Sequence, residues 1–454
     1  MTTPTPAARR RLPLVLRNRA FGTVWLGQVL TQAGVRMFQV GTSWWLIGYA
    51  VSGDSGLAAG LFMAVSTLPA VALAPLVARA IARIAHRSLL RTAAGGAGAA
   101  AAALACWAGL GDLPVAAAYA AALALATCQA FFDPCLTTSV PELVDDADIE
   151  AATGFELSTQ SLASLGGALL GALVVDEAGM AGLAVGCAVA YTSAALLIAT
   201  VRFRTPAGAL PGADSPEEDG GDAARAPRRT LRQILGAMPY VRAILLCFTA
   251  ANLFTTAVFV VIPLYTASVL RGDGGTVALL EASLGVGTLI GSVTGARVPG
   301  RPATVGSALL GAMAVALAVP GLIAARPVIA GALLVAGWCV GVIGVRFVAL
   351  FQRLVPAADK PAFFAVMQAV LGSTFPVASL LFGMLGDHLS AQTLCLIQAA
   401  GLVPAALALA LLPGPAHSRT PDGSPGTDPQ PETETESQPG TRPEAETAAR
   451  GGAR

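Results

Sequence analysis

Charge is scarce in this 454-residue chain: only 12% of its residues are Asp, Glu, Lys or Arg, and Lys360 is the sole lysine. A soluble fold of this length needs far more charge on its surface. The net charge of +1 gives no electrostatic case for nucleic acid. Histidine is rare too, with three in the chain. The seven cysteines (Cys106, Cys128, Cys135, Cys187, Cys247, Cys339, Cys395) form no C-x-x-C pair, and no histidine lies at ligand spacing from one. A disulfide framework and a zinc site are therefore not expected, and neither is any other cofactor. The cysteines read as small core residues. There is no phosphate-binding loop, so ATP does not drive the chain directly. GVGTLIG resembles a dinucleotide glycine pattern, but it lies inside an apolar run with no strand before it. Lacking a nucleophile–base set and a metal set, the chain is not expected to be an enzyme.

What the sequence does have is apolar length. Hydrophobic residues make up 55% of it, and the mean hydropathy is +0.67. A membrane span needs about 20 mostly apolar residues at 1.5 Å each. Twelve such runs are legible, over 20–49, 57–81, 88–110, 114–136, 152–175, 180–201, 243–268, 277–297, 304–325, 327–349, 361–386 and 391–412. The fold class is an all-α polytopic membrane protein, with the bilayer as its surroundings. The first run is too long for a signal-peptide core and has no small-x-small cleavage site, so it is expected to remain as a helix.

Arginine placement sets the orientation. With the N-terminus inside, the inner segments carry Arg9, Arg10, Arg11, Arg17 and Arg19, then Arg79, Arg83, Arg87 and Arg91, then a central cluster from Arg202 to Arg242. The outer loops hold only Arg271 and Arg326. Both termini are expected in the cytoplasm. Residues 202–230 and 413–454 are polar and rich in Pro and Gly, so neither can bury enough apolar surface to offset chain entropy. The expected organisation is a cytoplasmic tail (1–19), a six-helix bundle (20–201), a cytoplasmic linker (202–242), a second six-helix bundle (243–412) and a disordered cytoplasmic tail (413–454). The halves echo each other: ARAIARIAHRSLL after span two is matched by GARVPGRPATVGSALL after span eight. Such duplication places a substrate site between halves in many transporters.

Span one carries Gln28, Gln32, Arg36 and Gln39, spaced four, four and three, on one helical stripe. Lipid cannot satisfy that stripe, so it must face protein or water. Arg36 lies about 24 Å along the helix from its inner end, where an arginine costs roughly 2.5–3.5 kcal/mol on translocon scales. It reads as a cavity residue; the plainer alternative is outward snorkelling or a structural pair. On span five, Glu156 and Gln160 share a face with Ser164, Gly167 and Gly171. Glu156 there either carries protons or is simply solvated at the interface. On span seven, Asn252 and Thr256 share a face and are candidate pathway residues, although such groups often serve only helix–helix contacts. Gly287, Gly291 and Gly295 repeat every four residues, as Gly167 and Gly171 do, and read as close-packing seams. The first seam is expected to meet span five.

These residues resemble the major facilitator superfamily, in particular its macrolide-efflux and siderophore-exporter-like branch of drug:proton antiporters. The resemblance covers roughly residues 14–412. LRNRAFGTVWLGQVLTQAGVRMFQVGTSWWL is similar to that branch's first helix at Trp25, Gly27, Gln28, Gly34, Arg36 and Trp45. AFFDPCLTTSVPELV is similar to the end of its fourth at Phe132, Asp133, Pro134, Pro141 and Leu143, and SLASLGGALLGALVV to its fifth. Two departures stand out. Val35 replaces the branch's acid after the first-helix glycine. In the loop after helix two, Ala78, Ala82 and Ala85 replace a glycine and two acids, while Arg83 and Arg87 remain.

The resemblance implies a twelve-helix major facilitator fold that exports an amphipathic small molecule, a drug or secondary metabolite, by proton antiport and alternating access. Asp133 is implied as a coupling, helix-end or latch residue. The alternatives are export of an anionic ligand such as a siderophore or lysolipid through Arg36, and a transport-inactive sensor or scaffold on the same fold. The expected setting is the cell membrane and the expected state a monomer.

Overall fold

The computed structural model describes residues 14–144, 148–201, 203, 236, 238–356 and 360–412, which are almost entirely helical. Among the described residues, ten helices are long and apolar enough to cross a membrane. One of these, Ile149–Thr200, is two spans that meet at Gly179, whose φ of 64° breaks the helix. Glycine suits that turn because it lacks the Cβ that penalises left-handed backbone. The first helix, Arg19–Trp45, is not among the ten: its three glutamines and Arg36 dilute the apolar signal. Counting it and the division at Gly179 gives the twelve membrane helices of the major facilitator fold.

We label them α1 (Arg19–Trp45), α2 (Ser55–Ala72), α3 (His86–Leu110), α4 (Val115–Leu143), α5 and α6 (149–178 and 180–200), α7 (Pro239–Thr256, continued by Val258–Tyr265), α8 (Gly274–Thr294), α9 (Pro302–Leu322), α10 (Arg326–Leu354), α11 (Lys360–His388) and α12 (Ala391–Leu411). Several depart from the expected spans. α4 runs to Leu143 and α10 to Leu354, each about a turn or more beyond the apolar run, so both project past the hydrophobic stretch that reveals them. α2 breaks at Leu73 and resumes as Ala74–Arg83, with Pro75 in the first turn of the new helix. α7 already begins at Pro239, inside the expected linker. The expected tails and most of that linker lie outside the described residues.

The two six-helix halves use their helices in parallel ways. α1 and α7 each end in a single π-turn, Leu46–Ala50 and Thr266–Leu270. α1 packs against α5 through glycines. A Cβ on Gly167 would lie 2.6 Å from the Ala33 carbonyl oxygen, and one on Gly171 2.5 Å from that of Met37. Backbones this close gain dispersion that replaces the hydrophobic drive absent in lipid.

The Gly287, Gly291 and Gly295 seam is a correction. It packs on α10, in its own half, and not on α5: Cβ atoms there would strike the backbone of Leu334, Trp338 and Val342. α10 supplies its own glycines to the contact, since Gly337 and Gly341 lie against Leu284 and Thr288. A seam needs small residues on both faces, and α10 offers them at matching spacing.

Contacts between halves run through α2 with α11 and through α5 with α8. Gly56, Gly60 and Gly383 bring α2 and α11 together; a Cβ on Gly56 would lie 2.6 Å from the Gly383 carbonyl oxygen. The break in α7 near Ala257 is covered by Gln398 of α12, which donates to the Phe254 carbonyl at 3.0 Å. A carbonyl freed inside a bilayer needs such a partner.

Candidate functional site

Two adjoining cavities lie between the halves, of about 390 and 350 Å3. Each falls within the size range of small-molecule pockets. Gln39 of α1 and Phe375 of α11 line both, so one lobed space is divided by these two side chains. The first lobe is walled by α1, α2, α4 and α6 with the middle of α11, and its polar groups include Gln129, Asp133 and Tyr191. The second is walled by α1, α2, α5, α7, α8 and α11, and it holds Gln32, Arg36 and Glu281. Most of the remaining lining is apolar, including Phe38, Met63, Phe259 and Leu284.

The stripe on α1 is partly as expected. Gln32, Arg36 and Gln39 face the cavity. Gln32 donates to Asp133 Oδ1 at 2.7 Å, and Arg36 donates to Gln39 Oε1 at 3.3 Å. Gln28 does not belong to the lining of either lobe. It is 3% exposed, with Nε2 unpartnered, one turn closer than Gln32 to the start of α1. The stripe is continuous in sequence, but only its part from Gln32 onward lines the cavity.

Asp133 does not stand at the end of its helix. It sits ten residues inside α4, on the wall of the first lobe, and accepts hydrogen bonds from Gln32 and from Gln129, the latter at 2.5 Å. Spacing hid this because α4 continues well past the apolar run. The hydroxyl of Tyr191, 1% exposed on the same wall, has no partner.

Glu281 is the residue that sequence reasoning missed. It lies two turns into α8, 6% exposed, on the wall of the second lobe. It makes no hydrogen bond, and among the described residues the ion pairs are Arg17–Asp148 and His86–Glu142 only. Arg36 faces the same lobe from the other half, within Coulombic reach of both Glu281 and Asp133. The signal was available, since Glu281 is the only acid in LLEASLGVGTLIGSV. A lone carboxylate inside a span marks a functional candidate by default.

Other expected positions fall elsewhere. Asn252 bridges α7 to α11, donating to Thr374 Oγ1 at 2.6 Å and to the Leu371 carbonyl at 3.1 Å. It lines a separate apolar pocket of about 250 Å3 inside the second half. Thr256 bonds its own helix at the Asn252 carbonyl. Neither lines the lobed cavity, and Asn252 faces α11 instead. Glu156 and Gln160 lie outside the described side chains. Arg83 is exposed at the end of the helix after α2. Arg87 donates to the Ala199 carbonyl and so ties α3 to the end of α6 within one half.

On the side of the fold away from Leu14 and Leu412, two carboxylates tie the halves together in matching ways. Asp387, near the end of α11, accepts from the backbone N–H of Gly56 and of Leu57, each at 2.8 Å, and so caps α2 of the other half. Asp176, near the end of α5, accepts from the Gly274 N–H at the start of α8. It also accepts from Trp44 Nε1 at 2.6 Å and from the Tyr49 hydroxyl at 2.8 Å. Helix N-termini present unpaired N–H groups and a positive dipole end, so each carboxylate finds a ready partner across the halves. Asp273 completes the α8 cap, and hydrogen bonds from the Thr276 hydroxyl and backbone hold its carboxyl below the usual range.

The fold has clear relatives among solved structures. A D-xylose–proton symporter superposes with a TM-score of 0.65 at 14% identity, covering 86% of this chain and 96% of that one. A bacterial homologue of the iron transporter ferroportin in its inward-facing state gives 0.64 at 14%, covering 86% and 98%. A bacterial homologue of the human lysosomal transporter Spinster, inward-facing and occupied, gives 0.63 at 12%, covering 86% and 97%. These identities support the shared fold alone. No curated protein matches by sequence. Over residues 13–438 the sequence matches the transmembrane secretion effector family. With twelve helices in two halves around one cavity, the chain belongs to that family of major facilitator transporters.

Proposed function

We propose that this protein is a secondary active exporter of an amphipathic small molecule, driven by proton antiport through alternating access. Its setting is the cell membrane, with both termini cytoplasmic. The observation that carries this reading is the lobed cavity between the halves, apolar over most of its wall and bearing Arg36, Asp133 and Glu281. An apolar wall with a few convergent polar groups suits an amphipathic cargo. Carboxylates inside a membrane protein are the usual carriers of protons. The helix caps between the halves support alternating access, since Asp176 and Asp387 hold helix ends of opposite halves and would have to release them for the halves to part there. The anionic-cargo alternative would rest on Arg36, which shares its lobe with Glu281.

The test is flux. Purified protein in proteoliposomes with an imposed pH gradient is expected to move at least one of three fluorescent amphiphiles: neutral Nile red, cationic rhodamine 6G or anionic anilinonaphthalene sulfonate. A protonophore should abolish the movement. If none of the three moves and no proton flux accompanies any of them, the exporter reading fails.

A further inference from the structure

We propose that the cargo is an amphipathic organic cation whose ammonium group is received by Glu281 beside the paired rings of Phe259 and Phe375. The inference rests on the exporter reading above and names the substrate class of that same cavity.

Three observations converge on the second lobe. The first is an unsatisfied carboxylate. Glu281 is 94% buried by its 6% exposure, lies on the cavity wall, and has no hydrogen-bond or ion-pair partner. Protonation would remove the charge, but the O–H donor it adds has no protein acceptor either. A buried carboxylate without a partner costs several kcal/mol, so such a group persists where something else supplies the partner. Arg36 does not supply it in this state. Its guanidinium is engaged with Gln39 at 3.3 Å and does not come within 4.0 Å of Glu281.

The second observation is the charge that the described residues give the cavity. Among them, two carboxylates, Glu281 and Asp133, face it together with one guanidinium, Arg36. With all three ionised these residues carry one net negative charge. An anion entering this space meets a field already turned against it, and a monocation neutralises it.

The third is aromatic. Phe259 of α7 and Phe375 of α11 line the lobe with Glu281, and their ring centroids are 5.9 Å apart with the planes inclined at 42°. Aromatic faces carry a negative quadrupole that attracts cations and repels anions. A desolvated ammonium between such faces and a carboxylate has both of its usual protein partners. The apolar remainder of the lobes, with Met63, Leu284 and Leu289 nearby, takes the hydrocarbon body of the same molecule.

The matched pair tetraphenylphosphonium and tetraphenylborate tests this directly, since the two ions share shape and hydrophobicity and differ in the sign of charge. Binding is measured by titration calorimetry on the full chain in nanodiscs, with empty nanodiscs subtracted. The expected result is at least tenfold tighter binding of the phosphonium ion. Glu281→Gln keeps the side-chain shape, and should remove that preference. Glu281→Asp keeps the charge and should retain most of it. Phe375→Ala should weaken the phosphonium ion several-fold. Monodisperse elution of each variant checks folding. Equal or tighter binding of the borate overturns the proposal, as does undiminished phosphonium binding by Glu281→Gln in folded protein. Binding of neither ion also overturns it. If neutral Nile red is then still pumped, the exporter reading stands without this cargo class.

Discussion

At the scale of single residues, the cavity polar groups divide by what each can reach. Asp133 is held by two amides, from Gln32 and Gln129. Replacing it with leucine strands both donors in a low-dielectric wall, at about 1–3 kcal/mol for each unsatisfied group. Asp133→Leu is expected to lower the thermal unfolding midpoint of the purified protein by several degrees, and Asp133→Asn by less, because an amide can still accept. Equal midpoints for the two variants would show that the amides are not held by the carboxylate. Arg36 poses a different question. Its fork serves Gln39 and faces two acids, so Arg36→Lys should keep the fold and the charge yet cut transport, since an ammonium cannot reproduce the planar geometry. Cysteine scanning along α1 separates wall from core. Cysteine at 39 is expected to react with a membrane-impermeant thiol reagent, and cysteine at 28 to stay unreactive, because Gln28 is buried outside both lobes. Reaction at 28 with protection at 39 would reverse that assignment.

At the scale of elements, glycines and helix ends decide which helices move together. Gly291 lies against the α10 backbone, so Gly291→Leu is expected to cost folded yield rather than to change gating. Gly60 lies instead at the α2–α11 contact between halves. The Asp176 and Asp387 caps join the halves at the same face. Removing both carboxyl charges, as Asp176→Asn with Asp387→Asn, weakens the charge–dipole part of each cap by about 0.3–1 kcal/mol, or more where partly buried. Even that shifts a two-state population several-fold. Spin labels at Gly53 and Leu389 should report a longer far-face distance in the double variant. An unchanged distance distribution would mean that the caps are structural and do not set the closed state.

At the scale of the whole molecule, orientation remains tied to arginine. Reporter fusions at Gly208 and Gly414 are both expected to read as cytoplasmic, and an external signal from either would reverse the topology. The fold itself was legible because membrane insertion writes itself into composition. Each helix must bury about 20 apolar residues in lipid and satisfy every backbone group internally, so span number follows from hydropathy without tertiary information. The broken α7 and the division at Gly179 did not disturb that reading. The α1 stripe was legible for the same reason: Gln32, Arg36 and Gln39 cannot face lipid, whatever else they face.

What only the tertiary structure decided is which polar group meets which. Glu281 and Arg36 are 245 positions apart and share a lobe because α8 of one half lies across from α1 of the other. The same holds for the glycine seam, where one face is visible in α8 but the choice between α5 and α10 depends on where matching small residues stand in space. It holds again for Asp387, which looks like an ordinary loop acid until Gly56 and Leu57 are seen to donate to it from 331 and 330 positions away. Hydropathy is a property of one segment in a slab of lipid, and a single chain encodes it locally. Pairing between halves is set by the packing of twelve helices at once, and no local pattern carries it.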